Sequence, residues 1–240
     1  ASMREERTAF LIDAAHFAGA RYLTLAHSAD DNVETLLHHL FRGTGPGGLT
    51  GIGSPRAIAE DLVLIRPLLA VRRGVIREAL GEQGINWRED DSNSDVSYRR
   101  NWIRHELIPV IEQHYPQLTE AVGRAIDGQR QWRALVDRLA ARWLDENLLR
   151  SDPATLRRDP TVDRAVLTAA LQHLWDEHDW PRGEMTRDHW LRLTDMLTAG
   201  DDRRTSMPGD VDVVACGETV TLDRSGRTGP DGNENSRQSA

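Results

Sequence analysis

The apolar positions of this chain change period several times, and those changes lay out its elements. Over residues 4–18, Phe10, Ile12, Ala14, Phe17 and Ala18 supply the apolar positions of a helix that Gly19 stops. Residues 21–27, "RYLTLAH", make a run short enough for a buried strand. Residues 31–42 return to helical spacing through Val33, Leu36, Leu37, Leu40 and Phe41. "GTGPGGLTGIG" is a glycine-rich loop. "LVLIRPLL" (62–69) reads as a second buried strand closed by Pro67, "VRRGVIREALGEQG" as a helix and "INWRE" as a short strand. Strand and helix alternate, which predicts an α/β domain: a parallel sheet with flanking helices.

After "DSNSDVSYRRN" the pattern turns helical from Trp102, with interruptions at Pro109 and Pro116. Beyond Pro116, Leu118, Val122, Ile126, Leu135, Leu139 and Leu144 predict one helix of roughly 30 residues, on the order of 45 Å long. "SDPATLRRDP" marks a boundary. Two further helices are expected within residues 161–199, and "DVDVVACGETVTLD" (210–223) reads as a β-hairpin turning at Gly217. The expected organisation is an α/β domain over 1–115, a connecting helix over 116–150, a small helical domain over 151–224 ending in the hairpin, and a polar, disordered tail over 225–240.

Composition narrows the class. The 240 residues are 39% hydrophobic and 28% charged, as in an ordinary soluble globular protein. No apolar run is long enough to span a bilayer, and "ASMREERTAF" lacks the apolar core of a signal peptide, so a cytoplasmic protein is expected. A single cysteine, Cys216, excludes an internal disulfide framework and a Cys-rich metal or iron–sulfur site. All 30 basic residues are arginine. Residues 1–150 carry 19 arginines against 21 acids and residues 151–240 carry 11 against 17, so bulk charge does not attract nucleic acid and local arginine clusters would have to.

Candidate chemistry concentrates in "LTLAHSADDNVETLLHHLFRGTGPGGL", residues 23–49. Asp31 as N-cap and Glu34 at the third helical position would make a capping box, and acids in a first turn complement the helix dipole. The adjacent His38 and His39 point in different directions and do not form a metal pair. Yet His27, Asp30, Asp31 and Glu34 also stand at the carboxyl end of a predicted parallel strand, where open α/β sheets bind ligands. Glycines in the Gly43–Gly51 loop would let backbone N–H groups approach an anion. Capping and an active-site edge both fit this stretch alone.

A second motif, "REDDSNSDVSYRRNWIRHELIP" (88–109), bears on the choice. By itself it is a turn rich in Asp, Ser and Asn leading into a helix. Together the two stretches resemble the tRNA(Ile)-lysidine synthetase family, a branch of the PP-loop ATP pyrophosphatases. That pattern is carried here by His27, Asp30, Asp31, Glu34, Thr35, Arg42, Gly43, Thr44, Gly45, Gly48 and Leu49, then Arg66, Pro67 and Leu68, then Asp90 to Asn93 and Arg100 to Pro109. Ser28 stands where a second histidine is common and Asn32 where glutamine is common. The resemblance covers residues 4–125 and continues loosely to the hairpin. The family's Ser-Gly-Gly-x-Asp-Ser nucleotide loop is absent from the chain. Residues 1–115 therefore resemble a partial catalytic domain, that of an N-terminally truncated member expected to be inactive alone.

The resemblance implies ATP-dependent ligation of free L-lysine to C2 of the wobble cytidine of tRNA(Ile) with a CAU anticodon, through an adenylated intermediate. It implies ATP and Mg²⁺ as cofactors, with His27, Asp30, Arg42, Gly43 and Gly45 near ATP and Asp30 as a metal ligand. Asp31 and Glu34 would hold the lysine ammonium, one of them accepting its proton. Arg100 would meet transition-state charge or RNA, and Asn101 and Arg104 would face RNA. Trp102, Trp132 and Trp143 are read as packing residues, and Arg157 and Arg158 as RNA contacts. A homodimer is compatible with the sequence. Two other classes compete: a non-catalytic tRNA-binding remnant of the same family, and a tRNA thiolation enzyme, against which the lone cysteine argues.

Overall fold

The computed structural model describes residues 3–88 and 95–224, with side chains from residue 6 onward. Asp90, Ser92 and Asn93 of the second motif, Glu89 at the end of "INWRE", and the 225–240 tail lie outside the described residues. The chain divides into two compact units between Arg133 and Ala134.

The first unit is built on a small mixed sheet. Helix α1 (Met3–Phe17) leads into strand β1 (Tyr22–Thr24), which pairs in parallel with β3 (Leu62–Ile65) so that Leu23 lies opposite Leu64. Strand β2 (Arg56–Ala59) pairs antiparallel on the other side of β3, giving the order β1-β3-β2. The sheet is therefore not all-parallel as the alternation predicts. Strand β2 is only four residues long with exposed residues at its start, too little for a period to register. "INWRE" forms no strand over residues 85–88: Ile85 and Trp87 are exposed, and no strand edge receives them.

Helix α2 (Ala29–Phe41) follows β1, and a short 3-10 turn (Pro46–Thr50) lies in the glycine loop. Helix α3 (Arg73–Glu82) follows β3, and helix α4 (Arg99–Trp102) opens the second motif. It widens into a π-helical stretch over Ile103–Leu107 before α5 (Ile108–His114). There Ile108 N–H donates to the Ile103 carbonyl, five residues back. Pro109 has no N–H to continue the ladder, and the wide turn immediately before it accommodates that loss. Val33 and Leu37 of α2 bury against Ile103, with Leu107, Ile111, Leu118 and Val122 packed around them.

Helix α6 (Leu118–Asn147) is 30 residues long, and its N-terminal half belongs to the first unit. In the second unit β4 (Leu148–Ser151) and β5 (Ala154–Arg157) precede helices α7 (Arg164–Glu177) and α8 (Arg187–Thr198). Strands β6 (Arg203–Met207), β7 (Val211–Cys216) and β8 (Thr219–Arg224) then complete a five-stranded antiparallel sheet in the order β4-β5-β8-β7-β6. The expected helical domain is thus a sheet covered by two helices. Strands β4 and β5 flank Pro153 in a stretch whose turn residues mask them, and β6, "RRTSM", holds one apolar residue, Met207. Trp143 is buried, whereas Trp102 and Trp132 are exposed, so only the first packs as expected. Among the described residues no helix is long and apolar enough to cross a membrane.

Candidate active site

The N-cap of helix α2 lies three residues earlier than the sequence suggests. Ser28, extended at φ −101° and ψ 176°, is the N-cap, and its hydroxyl accepts from Asp31 N–H at 3.3 Å. Asp31 Oδ2 accepts the Ser28 amide and hydroxyl, both at 2.8 Å, completing a capping box with Asp31 at the third position. This corrects the assignment of Asp31 as N-cap and Glu34 as its partner. Serine competes well for the cap because its short hydroxyl reaches the N3 amide. The shift places Glu34 in the second turn, with no capping duty and a side chain fully buried.

Three arginines from two other segments converge on these acids. Arg104 forks onto Glu34, with Nε 2.7 Å from Oε1 and Nη2 2.9 Å from Oε2. Arg100 Nε donates to Glu34 Oε2 at 3.0 Å, and Arg73 Nη2 to Oε1 at 3.3 Å. The second oxygen of Asp31, Oδ1, accepts from Arg73 at 3.1 Å and from Arg100 and Arg104 at 3.4 Å each. Arg100 and Arg104 stand one turn apart and so present both guanidinium groups to one place. Burial raises the Asp31 carboxyl's pKa, but the Ser28 amide and hydroxyl with Arg73 and Arg100 outweigh this and hold it below its ordinary value. The hydrogen bonds that Arg104 donates to Glu34 raise its pKa against its own desolvation.

Asp30 faces a different group. Its Oδ2 accepts the Arg73 amide at 2.6 Å, capping α3, whose own N-cap residue Arg72 supplies no side-chain cap. His27 accepts from Arg66 Nε through Nδ1 at 3.1 Å, which puts its ring proton on Nε2. Arg66 also donates to the Gly53 carbonyl, and its amide to Ser54 Oγ at 3.0 Å.

The glycine loop is clasped from two sides. Asn32 Oδ1 accepts Ile52 N–H at 2.8 Å, while Arg130 of α6 donates to the Thr50 and Ile52 carbonyls at 3.0 and 2.9 Å. Gly51 has φ +66°, and a Cβ there would run into Asn32 and Ile126. His39 Nδ1 donates to the Gly48 carbonyl at 2.8 Å.

Residues 1–111 match the PP-loop domain family. Across 246 aligned positions the chain is 41% identical to a tRNA(Ile)-lysidine synthase of Rhodopirellula baltica, covering 94% of this chain and 61% of that protein. Its residues 1–111 are a PP-loop domain. A tRNA(Ile)-lysidine synthase of Alkalilimnicola ehrlichii is 40% identical over 85% of this chain and 45% of its own length. One from Vibrio campbellii is 35% identical over 68% and 36% respectively. The chain spans about three fifths or less of the length of these relatives.

Of the residues that carry the lysidine synthetase resemblance, the structure brings Asp31, Glu34, Arg100 and Arg104 into direct contact. Asp30 lies beside them through Arg73. None of the hydrogen bonds of this cluster among the described residues involves Arg42, Gly43 or Gly45, which stay exposed at the end of α2 and in the loop. Asn101 turns away and donates to the Asp95 carbonyl at 2.9 Å. Arg157 is exposed, whereas the Arg158 side chain is buried and donates to the Asp201 carbonyl at 2.6 Å. Sequence reasoning missed Arg73 and Arg130. Arg73 opens a helix in a pair of arginines, and nothing in its neighbours marks it for a site. Arg130 stands near the middle of a long helix rich in arginine. Among the described residues no group of three or more His, Cys, Asp or Glu side chains is placed to hold a metal.

Proposed function

We propose that this chain is the part of a tRNA(Ile)-lysidine synthase that holds lysine and the wobble cytidine during ligation. The observation that carries this reading is the convergence of Asp31, Glu34, Arg100 and Arg104, drawn from two distant motifs, in a chain 41% identical to one such synthase over 94% of its length.

The reaction proceeds in two steps. The 2-oxygen of cytidine attacks the α-phosphorus of ATP, and pyrophosphate leaves. The ε-amine of lysine, having lost a proton, then attacks C2, and the C2–O bond breaks to release AMP. The carboxylates of Asp31 and Glu34 hold the ammonium and one accepts its proton, while Arg100 and Arg104 meet negative charge on phosphate or RNA. Asn101 contributes to the RNA side. His27, Arg42, Gly43 and Gly45 face ATP, where the exposed glycines allow close backbone approach. Among the described residues Asp30 is the acid of this group that makes no hydrogen bond to an arginine side chain, so its carboxylate would be the one to hold Mg²⁺. The metal would neutralise phosphate charge.

The test uses the native protein from its own cells, incubated with tRNA(Ile) bearing CAU, ATP and lysine. Lysine-dependent AMP release, with the wobble nucleoside gaining lysine, is expected. Retention of the tRNA with no AMP release would overturn this in favour of a non-catalytic tRNA-binding protein.

A further inference from the structure

The arrangement around Glu34 has an electrostatic consequence beyond the assignment of roles. Among the described residues, all four carboxylate oxygens of Asp31 and Glu34 are in use. Both Glu34 oxygens bond guanidinium nitrogens at 2.7–3.3 Å, and Asp31 Oδ1 accepts three more while Oδ2 is taken by Ser28. The charges also balance: Asp30, Asp31 and Glu34 against Arg73, Arg100 and Arg104. A lysine ammonium entering such a set would add an uncompensated cation beside a fully buried carboxylate, which is unfavourable in a partly desolvated place. Its entry requires either that a guanidinium leave or that an anion arrive. A single phosphate oxyanion does both, since arginine pairs with phosphate as readily as with carboxylate.

Resting on the lysine-site reading above, we propose that Arg73 and Arg100 form a phosphate-binding pair that, without phosphate, occupies the place of the lysine ammonium on Asp31 and Glu34. Phosphate binding then creates the lysine site. Arg100 is the first to move: its side chain is 45% exposed, against 28% for Arg73 and 22% for Arg104, and Arg104 alone forks onto Glu34 with two nitrogens. Arg104 therefore stays as the permanent partner of the buried acid. Arg73 makes the longest of the Glu34 bonds and lies at the start of α3, where its backbone is fixed by Asp30 and only its side chain needs to swing. Lysine thus enters after the phosphate-bearing reactant, which suits a reaction in which the amine attacks an adenylated base.

Equilibrium dialysis of labelled lysine against the native full-length protein tests this. Inorganic pyrophosphate and a short RNA hairpin carrying CAU are the two phosphate sources, with potassium chloride at matched ionic strength as control. One of the two sources, and not chloride, is expected to tighten lysine binding about fivefold or more, and lysine must tighten that source by the same factor. Arg100→Gln should bind lysine tightly with no anion present and gain nothing from adding one. Arg73→Gln should shift the same way by less, and thermal melting of both variants confirms that they fold.

If wild type binds lysine equally with and without either source, and Arg100→Gln is unchanged while Asp31→Asn abolishes binding, the phosphate coupling is wrong and the lysine site stands. Tightening by chloride to the same extent would reduce the effect to screening and also overturn the coupling. No lysine binding under any condition would overturn the lysine site itself.

Discussion

Helix α7 in the second unit buries Val166, Leu167, Ala170, Leu171, Leu174 and Trp175, and every one of these side chains meets others of its kind. Helix α2 in the first unit, of nearly the same length, buries Val33 and Leu37 but also Glu34, and among the described residues its apolar cluster has only Ile103 as a further buried member. One helix is held by a non-directional force proportional to area, the other in part by charged bonds from three named nitrogen-bearing side chains. A buried apolar contact gains nothing from a charged ligand. A guanidinium has many, any phosphate among them, so the first unit keeps its candidate site in a form that ligands can rearrange.

The sharpest way to break the contrast is to cut each unit at its centre. Trp175 is fully buried between Trp180 and Trp190, with ring centroids 4.8 and 5.3 Å away in edge-on geometry. Trp175→Ala should cost about 3–5 kcal/mol, read from the urea midpoint. A loss below about 1 kcal/mol would mean that the second unit does not depend on its core as burial implies.

Glu34→Ala should cost about 3 kcal/mol, because three guanidinium groups lose their shared acceptor. Hydrogen exchange should localise that loss to α2, α4 and the π-helical stretch. Exchange unchanged there would show that the arginines settle elsewhere at no cost, and the contrast between the units would lose its basis.

The sequence makes these two situations unequally readable. In α7 and α6 the spacing of leucines is the cause of the helix, so the pattern and the structure are one fact. The acids of α2 are legible by motif, but the N-cap lies three residues before Asp31, since Ser28, Asp31 and Glu34 repeat at the same spacing and two capping boxes compete for one sequence. Arg73 was invisible because its role depends on a meeting of β3–α3, α2 and α4 that no local pattern encodes. Strands β2, β4, β5 and β6 escape the sequence reading because each is only four or five residues long and carries at most a few alternating residues of its own, although β2, β4 and β6 each pair with the next strand along the chain.

A smaller effect follows from the clasp on the glycine loop. Arg130→Ala removes two bonds to the Thr50 and Ile52 carbonyls and should cost about 1–2 kcal/mol. The Ile52 amide, still bonded to Asn32, should exchange faster but not freely. Arg130→Lys should recover only part of the protection, since one ammonium cannot reproduce the two-pronged hold. Full protection in Arg130→Ala would assign the loop's order to Asn32 and Gly51 alone.

The smallest expected effect reports on charge itself. Asp31 has its carboxyl pKa held below the ordinary 3.8: burial raises it, but the Ser28 amide and hydroxyl, Arg73 and Arg100 outweigh that rise. In the window between the folded and unfolded values the unfolded chain binds more protons, so stability rises with pH there. The contribution of Asp31 is complete above 3.8 and disappears as pH falls through the lower folded value. Asp31→Asn keeps an oxygen for Ser28 but carries no titrating group. The stability gap between wild type and this variant should therefore be constant near neutrality and close as pH drops below the ordinary carboxylate value. No such pH-dependent closure is expected for a Leu174→Ala variant of the second unit, where the lost interaction carries no proton. An Asp31→Asn gap that stays the same through the acid range would mean that Asp31 acts through shape and capping, with its charge contributing nothing to the hold on the arginines.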